Sequence, residues 1–262
     1  MRKLRDKLIF IKLGGSLITK NKPYTVDLIK LRQIVKEIHQ LKRKMKFKLL
    51  IGNGGGSFPH VSAKKFRTAE GFINKKSKRG QTIVQDDASR LNRIVVGELI
   101  KAGVNAISIQ PSAALMTKEG KIKSFYLEPI KSYLKHDLVP VVYGDVVVDL
   151  SRGCSIVSTE KIFSYLAKKL KPNKIIMMVK VEGVYDSEKR VIARINKHNF
   201  RKIKGFLKQA DKIDVTGGML HKVKTAIKMA KGGFEVNIIG SKKGNLEKCL
   251  EGEGVGTAIT KL

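Results

Sequence analysis

The chain has 262 residues, 42% of them hydrophobic, with 54 Lys+Arg against 22 Asp+Glu for a formal net charge of +32. That length and apolar content are enough for one large α/β domain or two small lobes, and they exclude a disordered polyelectrolyte. No apolar run reaches the roughly 20 residues that a membrane span needs, and Met1-Arg2-Lys3-Leu4-Arg5-Asp6-Lys7 leads into a strand rather than a signal-peptide core, so a cytoplasmic protein without membrane contact is expected.

Two cysteines, Cys154 and Cys249, show no metal-type spacing and fit a reducing compartment as ordinary buried thiols. The charge would attract nucleic acid or other polyanions non-specifically. The lysines are spread along the whole chain, with local clusters at 42–44 and 75–79, which reads as a solvated basic surface rather than a nucleic-acid module.

In chain order, Leu8-Ile9-Phe10-Ile11-Lys12-Leu13 reads as a strand ending in the turn Gly14-Gly15-Ser16. Leu28, Leu31, Val35, Ile38, Leu41 and Met45 recur at three or four, predicting an amphipathic helix with Thr25 as its cap. Phe47 to Ile51 is the next strand, and it delivers the chain into Gly54-Gly55-Gly56-Ser57-Phe58-Pro59-His60. Three glycines let the backbone come close to an anion and aim N–H groups at it, above all if Pro59 opens a helix whose positive end faces the same spot. The bland alternative is a plain strand-to-helix turn. Gly52-x-Gly54-x-x-Ser57 falls one residue short of the dinucleotide fingerprint, and the lack of a closing Gly-Lys-Ser/Thr excludes an ATP-type P-loop here.

Further on, a helix is expected over 83–102, a strand over 104–109 and another over 138–143, closed by Gly144-Asp145. Val146 to Asp149 either pairs as a hairpin or turns a corner. A helix over 159–170, a strand over 175–179, a core strand over 234–239 and a final edge strand over 255–259 complete the pattern. The strand–helix–strand alternation predicts a parallel sheet whose ligands bind at the carboxyl ends of the strands, where both glycine turns lie, so two phosphate-sized sites are expected on one edge. Asp214-Val215-Thr216-Gly217-Gly218-Met219-Leu220-His221-Lys222 offers a third glycine turn with a lysine at the start of a helix. Glycine turns with Lys12, Lys20 or Lys22, and Lys222 nearby suit phosphoryl transfer, which asks for two anions held in line and their charge neutralised.

Lys12-Leu13-Gly14-Gly15-Ser16, Gly54-Gly55-Gly56-Ser57-Phe58-x-His60, Tyr143-Gly144-Asp145 and Asp214-Val215-Thr216-Gly217-Gly218-Met219, in that order over nearly the full length, resemble the amino acid kinase superfamily, and within it archaeal-type isopentenyl phosphate kinases. The resemblance implies an open αβα sandwich with a mainly parallel central sheet, usually as a homodimer. It implies an acceptor-binding part at 1–171 and an ATP-binding part at 172–262 of one continuous domain, with ATP and Mg²⁺ phosphorylating isopentenyl phosphate.

By the same resemblance, Lys12, Lys20, His60 and Lys222 are catalytic, with Lys22 as the alternative to Lys20. Gly15, Gly54, Gly55, His60, Gly144 and Asp145 take the acceptor, and Lys12, Gly14, Ser16, Glu160, Thr216, Gly217, Gly218 and Lys222 take ATP, the metal being carried by its phosphates. An acceptor that is already a phosphate needs no general base, so His60 is expected to donate to the substrate dianion. Pro59 stands where the family usually has Gly, Asn53 where it commonly has His, and Ser158-Thr159-Glu160 where it has Ser-Gly-Asp. The rivals are a fosfomycin kinase, a uridylate kinase, and a catalytically weak protein that binds polyanions through its charge.

Overall fold

The computed structural model describes residues 4, 6–196, 198–211 and 219–260. In chain order the elements are β1 (Leu8–Leu13), α1 (Gly15–Ile18), α2 (Leu28–Met45), β2 (Lys48–Asn53), α3 (Pro59–Phe66), α4 (Ser77–Lys101), β3 (Ala106–Ser108), α5 (Pro111–Ala114), β4 (Leu115–Lys118), β5 (Lys121–Phe125), α6 (Glu128–Lys135), β6 (Val139–Tyr143), β7 (Asp145–Asp149) and β8 (Gly153–Val157). There follow α7 (Thr159–Leu170), β9 (Lys174–Val179), β10 (Arg194–Ile195), α8 (Phe200–Asp211), α9 (Met219–Lys231), β11 (Val236–Gly240), α10 (Asn245–Glu251) and β12 (Thr257–Ile259).

Among the described residues, eight strands form one sheet in the order β10-β12-β11-β9-β1-β2-β6-β3, and every pairing is parallel except β11 with β12. β1 lies between β2 and β9, with Ile11 opposite Ile51 on one side and Ile176 on the other. Its alternation explains the layers. Ile9, Ile11 and Leu13 face α2, α4 and α10, while Phe10 faces the opposite way into a cluster built with α6, α7, α8 and α9. With both faces covered, the central strands read as continuous apolar runs. The sheet crosses residue 171 without a break, because β9 docks directly on β1.

Several expectations move. Asp27, not Thr25, caps α2: its carboxylate accepts from the Lys30 N–H at 3.0 Å, while the Thr25 hydroxyl donates to the Pro23 carbonyl. α4 starts at Ser77, six residues before the expected position 83, because its first turn carries Lys78, Arg79 and Gly80 and shows no apolar period. β12 is an inner strand, since β10 pairs along its outer side. Val146 to Asp149 does form a hairpin, with β8, inside a second sheet of order β5-β4-β7-β8. Both cysteines are free and buried, and burial pushes their thiols up, to about 12 for Cys249. No described helix is long and apolar enough to cross a membrane.

Candidate active site

Three neighbouring strands, β1, β2 and β6, end in glycine at the same rim of the sheet: Leu13 runs into Gly14, Asn53 into Gly54 and Tyr143 into Gly144. The first two turns pack backbone against backbone. A Cβ on Gly54 would stand 2.7 Å from the Gly15 nitrogen, and one on Gly15 would collide with the Gly56 nitrogen. Gly56 sits at φ +54°, where a side chain would also strike Thr19. Thr19 ties the two turns together. Its hydroxyl donates to the Gly15 carbonyl at 2.9 Å and accepts from the Ser57 N–H at 3.1 Å.

Beside these turns opens a cavity of about 500 Å³. Lys12, Gly15, Ser16, Lys20, Gly54, Gly55, His60, Gly144, Asp145, Glu160 and Lys222 all line it, so eleven expected site residues converge there. Lys22 is not in its wall. Gly14 lies just behind, with its N–H on the Met178 carbonyl at 3.0 Å. The expected nucleotide-side residues Thr216, Gly217 and Gly218 lie outside the described residues. Gly15, Gly54, Gly55, Gly56 and Gly144 border this one cavity, at the carboxyl ends of the strands where the phosphate sites are expected.

Lys12 points from the end of β1 into the protein and is 2% exposed. Its ammonium pairs with Glu160 at 3.0 Å. The Ser158 hydroxyl caps α7 by accepting from the Lys161 N–H, which places Thr159 and Glu160 in the first turn, at the positive helix end. Burial alone would raise the Glu160 carboxyl, but Lys12, with Lys222 adding to the field, takes it down to about 2. Glu160 therefore stays ionised and holds Lys12 in place, from the position where the family usually has the aspartate of Ser-Gly-Asp.

Pro59 takes the first position of α3 and His60 the second. Pro has no N–H to lose there, so the departure from glycine costs that helix nothing. The His60 ring opens on the cavity, yet enough protein surrounds it that lost hydration lowers its pKa; Glu160 opposes that shift and Lys222 adds to it. In the free protein the imidazole is thus biased to neutral.

Asp145 is 2% exposed and accepts from the Ser112 and Val146 N–H groups at 2.9 and 2.8 Å. Burial outweighs those bonds and raises its carboxyl to about 6.

Polar groups such as Asn21 and His221 also line the cavity, and part of its remaining wall is apolar, through residues that the sequence alone does not single out. Val84 and Ala88 come from α4, Val61 and Ala63 from α3, and Ile156 from β8. The i, i+4 pair on α4 lies within a helix the sequence predicts, whereas Ile156 belongs to a strand it does not. Among the described residues, no group of three His, Cys, Asp or Glu side chains gathers to hold a metal ion.

Residues 7–240 match the Amino acid kinase family. The chain is 37% identical to an isopentenyl phosphate kinase of Methanocaldococcus jannaschii, covering 96% of this chain and 98% of that relative. It is 34% identical to one of Methanothermobacter thermautotrophicus, covering 97% and 99%. A solved structure described as "X-ray structures of isopentenyl phosphate kinase" superimposes with a TM-score of 0.82 at 30% identity, covering 97% of this chain and all of that one.

Proposed function

Because this chain belongs to the amino acid kinase family, we propose that it transfers the γ-phosphoryl group of ATP to isopentenyl phosphate, giving isopentenyl diphosphate and ADP for isoprenoid synthesis. One observation carries the acceptor: the glycine cradle with His60 and the apolar wall of Val61, Val84, Ala88 and Ile156 belong to the same cavity. A prenyl phosphate needs both, an anion cradle for its head and a dry wall for its tail.

In this reading Gly15, Gly54 and Gly55 hold the acceptor phosphate through backbone N–H groups, and His60 donates to it. An acceptor oxygen attacks the γ-phosphorus, the bond to the β-phosphate oxygen breaks, and ADP leaves. Lys12 and Lys222 neutralise the charge that spreads over the transferring oxygens, Lys20 reaches the same space, and Glu160 fixes Lys12. Gly14, Ser16, Thr216, Gly217 and Gly218 complete the ATP side, and Gly144 and Asp145 border the acceptor. Residues 1–171 thus serve mainly the acceptor and 172–262 mainly ATP. By the family resemblance Mg²⁺ would arrive bound to the ATP phosphates and share in neutralising their charge. The family resemblance adds a homodimer, which light scattering checks.

The test is ADP release from ATP-Mg²⁺ with isopentenyl phosphate, dimethylallyl phosphate, fosfomycin and UMP offered separately. Selective turnover of the prenyl phosphates is expected. Turnover of fosfomycin or UMP alone would reassign the acceptor, and none with any of the four would favour a polyanion-binding role.

A further inference from the structure

We propose that Asn92, acting through Asn53, is a positioning residue that sets the glycine cradle against the start of α7 and so aligns the two phosphates that react. The inference rests on the phosphoryl-transfer reading of the cavity. Neither asparagine touches the cavity. Asn92 is 0% and Asn53 1% exposed, among apolar neighbours where an unpaired amide is costly.

Their bonds run in one direction. The Ser108 hydroxyl donates to Asn92 Oδ1 at 2.5 Å, which leaves Asn92 Nδ2 to donate to Asn53 Oδ1 at 2.9 Å. Asn53 Nδ2 is thereby turned toward the Gly54 carbonyl, at 3.4 Å. The Asn53 backbone carbonyl accepts from the Thr159 hydroxyl at 2.6 Å and from the Gly144 N–H at 3.4 Å. One residue therefore bonds the first glycine of the cradle, the neighbour of Glu160 and the turn after β6, which are the three pieces that frame the cavity. A helix on the far side of β2 sets the orientation of that residue.

An in-line transfer is far more sensitive to such registration than binding is, because a small displacement spoils the approach of the two anions while each still finds its cradle. Asn92 should therefore act on kcat and leave the KM values alone.

Asn92→Asp is the direct test, since it keeps volume and still accepts from Ser108 but cannot donate to Asn53. The Asn53 amide must then turn, which sets its oxygen against the Gly54 carbonyl. Expected are a kcat lower by roughly tenfold or more per folded protein, KM values for ATP and isopentenyl phosphate within about twofold of wild type, and displaced ¹⁵N–¹H resonances of Gly54 and Gly55 in the ligand-free protein. Thr159→Val cuts the other arm and should lower kcat in the same way, with Thr159→Ser recovering most of it. Unchanged kcat with undisplaced Gly54 and Gly55 resonances would overturn the proposal. If wild type leaves isopentenyl phosphate untouched, the acceptor assignment falls instead. The resonances still decide this question, displaced for a positioning role and undisplaced against it.

Discussion

β7 carries a carboxylate at each end, and the two behave in opposite ways. Asp145 at the cavity and Asp149 at the turn are both 2% exposed. Asp149 accepts from the N–H groups of Glu119, Gly120, Ser151 and Arg152 and from the Thr117 hydroxyl, and Arg152 stands 3.8 Å away. Burial works to raise its carboxyl, but those donors win and hold it far below the usual carboxylate range. Asp145 has the Ser112 hydroxyl and two N–H donors and no ion pair, so burial wins and its carboxyl rises to about 6. Low exposure alone, then, does not decide charge; the balance between burial and the donors and cations around the carboxylate does. The turn end is saturated and structural, whereas the cavity end is left under-satisfied. Glu160 shows how the cavity keeps an ion when it needs one, by supplying Lys12 at 3.0 Å.

The comparison breaks most visibly at that pair. Lys12→Ala should lower kcat by roughly 10²–10³-fold, since it removes a cation from the transferring phosphoryl and strands Glu160. Steady-state ADP release checks it, and the Glu160 pKa should climb in the same variant. His60→Ala should cost roughly 10²-fold in acceptor phosphorylation, with circular dichroism unchanged; near-normal turnover would remove His60 from the mechanism.

The ends of β7 then separate by stability against pH. Asp149 has a lowered folded pKa, so the stability it contributes is present above its unfolded value near about 4 and is lost as pH falls. Asp149→Asn should therefore destabilise by about 2 kcal/mol at neutral pH and by less in acid, with kcat intact. Asp145 has a raised folded pKa, so the favourable protonated state is present below about 4 and lost as pH rises through about 6. Relative to Asp145→Asn, wild type should lose up to about 3 kcal/mol across that window. Urea titrations at pH 2, 3 and 4 read the Asp149 slope and those at pH 4, 5, 6 and 7 the Asp145 slope, and slopes of the same sign would refute the argument. The smallest contrast is between lysines: Lys20→Ala should lower kcat/KM by about tenfold, while Lys22→Ala stays within about twofold because Lys22 is outside the cavity wall.

Much of this was legible in the sequence, for local reasons. β1, β2, β6 and β9 are buried on both faces and therefore announce themselves as apolar runs, and the glycines that end the first three cannot be replaced where backbones meet, as Gly15 and Gly54 do. What stayed hidden needs the third dimension. β4 alternates buried with exposed residues over four positions, too short a run to stand out, and β8 went unread with it, so Ile156 was not placed in the cavity. The first turn of α4 is polar, and its start was set late. Asn92 looks like any polar residue on a helix until Ser108 and Asn53 are seen at either end of its amide.

The central claim is that one cavity brings a prenyl phosphate and ATP together. ³¹P NMR of purified protein with ATP-Mg²⁺ and isopentenyl phosphate tests it most directly, because it reports the product bond. The account predicts loss of the monophosphate signal, a pair of coupled diphosphate resonances and stoichiometric ADP. An unchanged monophosphate signal, with ATP intact or released only as inorganic phosphate, would contradict it.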